Sequence, residues 1–139
     1  MMYDIGFSEE MVLNLEKVIF GFFVILACTL NFGFFIGEVD VIYAHNATEL
    51  FAALVVNIVV VILKIGDRTQ IGALQMATSL AATLQLILAS LVWLWQTQLG
   101  GQPMDAPTMA TIVSLSGGAL VANGISVILL IGESLRQTR

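Results

Sequence analysis

The 139-residue chain is 58% hydrophobic and 11% charged, with a mean hydropathy of +0.96 and a formal charge of −5. Soluble domains run to about 45–50% apolar and about 25% charged, because a short chain must cover its core with polar surface. The surplus apolar surface is therefore expected to face lipid. No basic run supports nucleic-acid binding and no Cys/His spacing suits structural zinc. The single Cys28 excludes an intrachain disulfide.

The first 17 residues carry Asp4, Glu9, Glu10 and Glu16 against Lys17 alone. That is the wrong charge for a signal-peptide n-region, so the segment is expected to be retained as a cytoplasmic or interfacial lead-in. Ser8 is a candidate N-cap, with Glu9 and Glu10 suited to the positive end of a helix. The alternative is a loose tail over residues 1–10. A first span follows from about Val18 to Gly37, free of charge for the roughly 20 residues that a bilayer core requires. Glu38 and Asp40 end it. Asn46 then precedes Glu49 by three residues, the capping-box spacing, and a second span of Ala47 to Lys64 follows.

Lys64-Ile65-Gly66-Asp67-Arg68-Thr69-Gln70 is a polar hinge between two apolar runs. Gly66 suits a helix C-terminus, and Asp67 or Thr69 suits the next N-cap. The third span is expected from about Ile71 to Trp95, with Trp93 and Trp95 at headgroup level. Gln96 to Pro107 reads as a loop broken by Gly100, Gly101 and Pro103, with Pro107 opening the fourth span, Thr108 to Ile131.

Lys17, Lys64, Arg68, Arg136 and Arg139 are all of the chain's bases, and four spans put them on one side. The positive-inside rule then predicts both termini and the hinge in the cytoplasm, with Glu38, Asp40, His45, Glu49 and Asp105 outside. The expected fold is all-α, an integral membrane four-helix bundle, N-in/C-in, forming one domain over residues 1–139.

Helices in lipid associate through close packing and hydrogen bonds. Small residues repeat every four positions at Ser114, Gly118, Ala122 and Ser126, at Thr29, Gly33 and Gly37, and at Ala73, Ala77 and Ala81. These rows are expected to pack helices, either within one bundle or between copies. Asn31, Asn57, Gln85 and Asn123 place one carboxamide per span within a layer of roughly 10–12 Å, as either interhelical glue or a polar path. No Asp, Glu, Lys, Arg or His lies well inside a span, which argues against a proton antiporter with a buried carboxylate. Glu38, Asp40 and His45 are weak metal candidates; no metal or other cofactor is expected, and neither is an enzyme, since no nucleophile–base pair or paired carboxylates share a face.

Asn14 to Gly21 (NLEKVIFG), Asn46 to Ala53 (NATELFAA) and Gly66 to Ala73 (GDRTQIGA) together resemble a family of small uncharacterised bacterial inner-membrane proteins, over roughly Met11 to Trp95. The resemblance implies location and topology: a multi-pass protein of the bacterial inner membrane, with Met11 where such chains begin. Gly66-Asp67-Arg68-Thr69 is also similar to the core of the manganese/calcium cation–proton exchangers. Those proteins carry a glutamate two residues before the glycine, where this chain has Lys64, and a second inverted copy, which this chain lacks.

The expected function is transport of ions or small solutes, as a channel-like homo-oligomer or a membrane subunit of a larger complex. The alternative is a non-conducting accessory or scaffold protein. The bilayer is the expected partner in either case.

Overall fold

A computed structural model of the protein describes residues 2–37 and 45–137, with side chains from 15 to 37 and from 45 to 136. Four α-helices account for most of it: α1 (Met2–Phe35), α2 (Ala47–Lys64), α3 (Gln70–Leu94) and α4 (Ala106–Gln137). Each contains a stretch long and apolar enough to cross a membrane, the first of them Leu15–Phe35. Such a set points to a multi-pass membrane protein. The helices form an antiparallel ring in which α1 packs on α2 and α4, and α3 packs on the same two.

Local chemistry sets most of the helix ends. Asn46 caps α2 by accepting from the Thr48 N–H at 2.8 Å. Glu49 does not close the box. Its carboxylate lies over Gly33 of α1, where a Cβ would come within 2.1 Å of Glu49 Oε2. Asp105 caps α4, accepting from the Thr108 N–H at 2.8 Å, so Ala106 rather than Pro107 is the first helical residue. The backbone of α1 is helical from Met2, so the expected Ser8 cap and the loose tail both give way to an extended helix.

The third span runs on beyond its expected end. After Leu94 the chain makes a π-helical turn over Trp95–Leu99, closed by Gly100 N–H to Trp95 O at 2.7 Å. Gly101, at φ +62°, then reverses the chain. Gln96 Nε2 donates to Pro103 O at 2.9 Å and Asp105 Oδ2 at 3.3 Å, tying the shortened loop to the start of α4.

Polarity is arranged inside out for a soluble bundle. Val18, Phe22, Val55, Leu84, Val121 and Ile128 are among the large apolar side chains left exposed, while Asn31, Asn57 and Gln75 are fully buried. Water would penalise both choices.

The bundle is layered along its axis. The hinge, the start of the α1 span and the end of α4 share one end, as the contacts of Lys64 with Phe20 and Gly21 with Leu130 show. A small apolar layer of Phe20, Val24 and Val60, backed by Phe23, Val127 and Leu130, lies just inside that end. The larger core, including Phe34, Leu50, Leu86, Met109 and Ile112, fills the far half.

Candidate functional site

The hinge is a tightly bonded turn. Gly66, at φ +93°, takes the left-handed conformation that ends α2. Asp67 then accepts from the Thr69 N–H at 3.0 Å, from Thr69 Oγ1 at 2.7 Å and from Lys64 Nζ at 3.3 Å. The Thr69 hydroxyl in turn accepts from the Gly72 N–H at 2.9 Å and so caps α3. The Thr69 hydrogen bonds, with Lys64 adding to them, hold the Asp67 carboxyl below its ordinary range. Arg68 is exposed, and Lys64 Nζ sits 3.8 Å from the centroid of the Phe20 ring. A partly open cleft of about 540 Å³ lies here, lined in part by Glu16, Lys17, Lys64, Asp67 and Glu133.

Two levels of polar side chains lie between the helices. In the far half, Asn31 reaches from α1 to the backbone of α4. With its carboxamide oriented to pair at both ends, Nδ2 donates to Ser116 O at 3.2 Å and Ser116 Oγ at 2.7 Å, and Oδ1 accepts from the Leu120 N–H at 2.9 Å. Ser116 O and Leu120 N–H are the i, i+4 partners of a helical turn, so one side chain bridges a full turn of α4. Small residues make the approach possible. A Cβ on Gly117 would come within 2.8 Å of the Phe35 ring, and one on Gly118 within 2.6 Å of Gln85 Nε2.

The second level lies nearer the hinge. Thr78 of α3 and Ser126 of α4 share a short hydroxyl–hydroxyl hydrogen bond, which sets the register of those two helices. Beside that bond are Gln75 and Ser79, at 0% and 1% exposure, and Asn123, three residues from Ser126, at 3%. Asn57 of α2 precedes Asp67 by ten residues, while Gln75 and Ser79 follow it by eight and twelve. At ~1.5 Å of rise per residue, the hairpin brings all three to one level. Asn57 Nδ2 donates to Ala53 O at 2.7 Å, within its own helix. Asn57 Oδ1, Gln75 Nε2 and Oε1, Ser79 Oγ and Asn123 Nδ2 are buried with no hydrogen-bond partner, and in the far half so are Gln85 Oε1 and Ser90 Oγ, which are spread along α3.

The four carboxamides singled out in the sequence are therefore divided between two levels. Asn57 and Asn123 share the hinge-side level, whereas Asn31 and the half-buried Gln85 belong to the far half. No hydrogen bond among the described residues joins any two of them. Gln75 and Ser79 complete the inner level and were missed. Their signal was available, since they fall on the same helical stripe as Gly72, Ala82, Leu86 and Ala89, all buried.

The small-residue rows divide too. Gly118, Ala122 and Ser126 face α3 inside the bundle, and Ser114 is exposed. Gly33 receives Glu49, while Thr29 is exposed and Gly37 lies beyond the helix, half-buried. Ala73, Ala77 and Ala81 all face outward, because the opposite side of α3 carries the polar groups that must be buried. His45 is buried, its Nδ1–H donating to Phe34 O at 2.7 Å. Glu38 and Asp40 lie outside the described residues, among which no three His, Cys, Asp or Glu side chains are grouped to hold a metal ion.

The Family of unknown function (DUF6394) matches residues 44–134, from just before α2 to near the end of α4. The chain belongs to that family. The family match takes in the Asn46 cap, the hinge and the whole hinge-side polar level except what α1 adds to its surroundings. It reaches past Trp95 through α4, further than the resemblance read from the sequence, and leaves Asn14 to Gly21 outside. No link to cation–proton exchangers emerges. Lys64, Asp67 and Thr69 are occupied with one another in building the turn. No curated protein and no solved structure matches the chain.

Proposed function

We propose that the protein is a four-span protein of the bacterial inner membrane, N-in/C-in, that takes part in transport of ions or small polar solutes. It would act as a small channel-like protein or as a membrane subunit of a transport system. The observation that carries this reading is the set of unpaired polar atoms on Asn57, Gln75, Ser79 and Asn123. Carboxamides that serve only to hold helices together would be paired, since a bare amide in a membrane interior costs several kcal/mol. Groups left open inside a bundle are suited to polar guests that come and go. The topology rests on Lys17, Lys64, Arg68 and Arg136, which the antiparallel ring gathers at the hinge end.

Flux from reconstituted vesicles tests the function. The reading expects passage of a small ion or solute above the rate of protein-free vesicles, and a loss of most of it in Asn57→Leu with Asn123→Leu. Absence of flux, together with full function of that double variant in cells, would sink it.

One observation favours the accessory or scaffold reading instead. Ala73, Ala77 and Ala81 form an outward row on α3 where a partner helix, from another protein or a second copy, could approach closely. On that reading Ala77→Leu abolishes co-purification of a partner chain while the carboxamide variants affect stability alone.

A further inference from the structure

The polar level near the hinge has a composition that selects its occupant. Asn57 Oδ1 and Gln75 Oε1 offer lone pairs; Gln75 Nε2 and Asn123 Nδ2 offer N–H groups; Ser79 Oγ can do either. A bare cation would pair with the oxygens and leave the two amide NH₂ groups open, and an anion would pair with the N–H groups and leave the oxygens open, so neither alone satisfies the resting site. A molecule that donates and accepts in equal measure satisfies all of them, and water makes about three hydrogen bonds at buried sites of this kind.

The level is also sealed unequally. Toward the hinge, Val60 stands one turn from Asn57, and Lys64, at the wall of the charged cleft, stands one turn further. Phe20, Val24 and Val60 form the buried part of that seal, which is ~5 Å thick by helical rise. In the other direction ten residues of α2 separate Asn57 from Ala47, a depth of ~15 Å packed with Leu50, Ala53, Phe34, Leu86 and Met109, among which stand the paired Asn31 and Ser116 and the isolated Gln85 Oε1 and Ser90 Oγ.

We propose that Asn57, Gln75, Ser79 and Asn123 form an occluded site that holds a cluster of water molecules and exchanges them with the hinge-end cleft past the single apolar layer of Phe20, Val24 and Val60. The site deepens the transport reading and rests on its polar layer, but its existence does not depend on flux. Lys64, seated on the Phe20 ring, ties the outer surface of the seal to the hinge turn.

Hydrogen exchange in the full chain, reconstituted in vesicles, tests it. In a Cys28→Ala background, Ser79→Cys places a thiol in the site, and Ala89→Cys places one in the larger apolar core. Infrared spectra after transfer to D₂O follow S–H turning into S–D. The Ser79→Cys thiol should exchange at least about ten-fold faster than the Ala89→Cys thiol, and Phe20→Ala should speed the former and leave the latter unchanged. The unsubstituted chain supplies a second measurement, in which the side-chain amide protons of Gln75 and Asn123 exchange faster than those of Asn31. A Ser79→Cys thiol as slow as Ala89→Cys, or Gln75 and Asn123 amides as slow as Asn31, overturns the site. Indifference to Phe20→Ala overturns the route. Hydration without flux, with full function of the Asn57→Leu and Asn123→Leu double variant in cells, would sink the transport reading alone, and flux with a dry Ser79 position would sink this site alone.

Discussion

Gly72→Ala is the sharpest test of how the hinge is built. A methyl group at that position would lie 2.2 to 2.5 Å from the carboxylate atoms of Asp67, well inside contact distance. The carboxylate cannot simply swing aside, because Thr69 holds it with two hydrogen bonds and Lys64 with a third. Moving it forfeits the two Thr69 bonds, worth ~1–2 kcal/mol together at this partly exposed site. Against that stands the gain of about 0.5–1 kcal/mol that alanine brings to a helix interior. Gly132→Ala isolates the gain, since nothing lies within 4 Å of its new methyl. The two variants should therefore differ by ~1–2 kcal/mol in denaturant unfolding from mixed micelles, with Gly72→Ala the less stable. In an Asp67→Ala background the clash has no partner, and Gly72→Ala should become neutral or stabilising. If Gly72→Ala gains as much as Gly132→Ala, the carboxylate does not sit over Gly72 and the description of the turn is wrong.

Two further outcomes follow from single groups. Hydrogen bonds from Thr69, then Lys64, hold the folded pKa of Asp67 below its ordinary 3.8. Its contribution to stability is thus complete above pH ~4 and lost as the pH falls through the depressed value; Asp67→Asn should flatten that acid limb of a stability–pH curve. Asn31→Leu removes three hydrogen bonds to α4 and should cost ~1–2 kcal/mol of unfolding free energy, at about 0.6 kcal/mol per interhelical bond, with Ser116→Ala costing roughly a third as much. A leucine variant as stable as the parent would mean that α4 does not use the carboxamide.

Much of the architecture was legible along the chain because its causes are local. Uninterrupted apolar runs of membrane-spanning length mark the helices, and Asn46, Gly66 and Thr69 mark ends through groups a few residues away. The errors came where a partner lies far off in sequence. Glu49 has the spacing to close a capping box, yet the open backbone at Gly33 on another helix takes its carboxylate. The row Ala73, Ala77 and Ala81 has the spacing for helix packing, yet faces outward because Gln75 and Ser79 claim the inner side of α3.

The same division holds for the polar interior. Composition and the placement of five bases determine, without any structure, a chain with more apolar surface than it can bury and a strong asymmetry between its ends. Carboxamide positions also show that every span carries a group needing a partner. Which partner it finds is decided by helix rotation and register, set by many weak side-chain contacts between helices that no local pattern encodes. Tertiary packing gave Asn31 the backbone of α4, left Asn57 and Asn123 open beside Gln75 and Ser79, and put a single thin apolar layer between that level and the hinge.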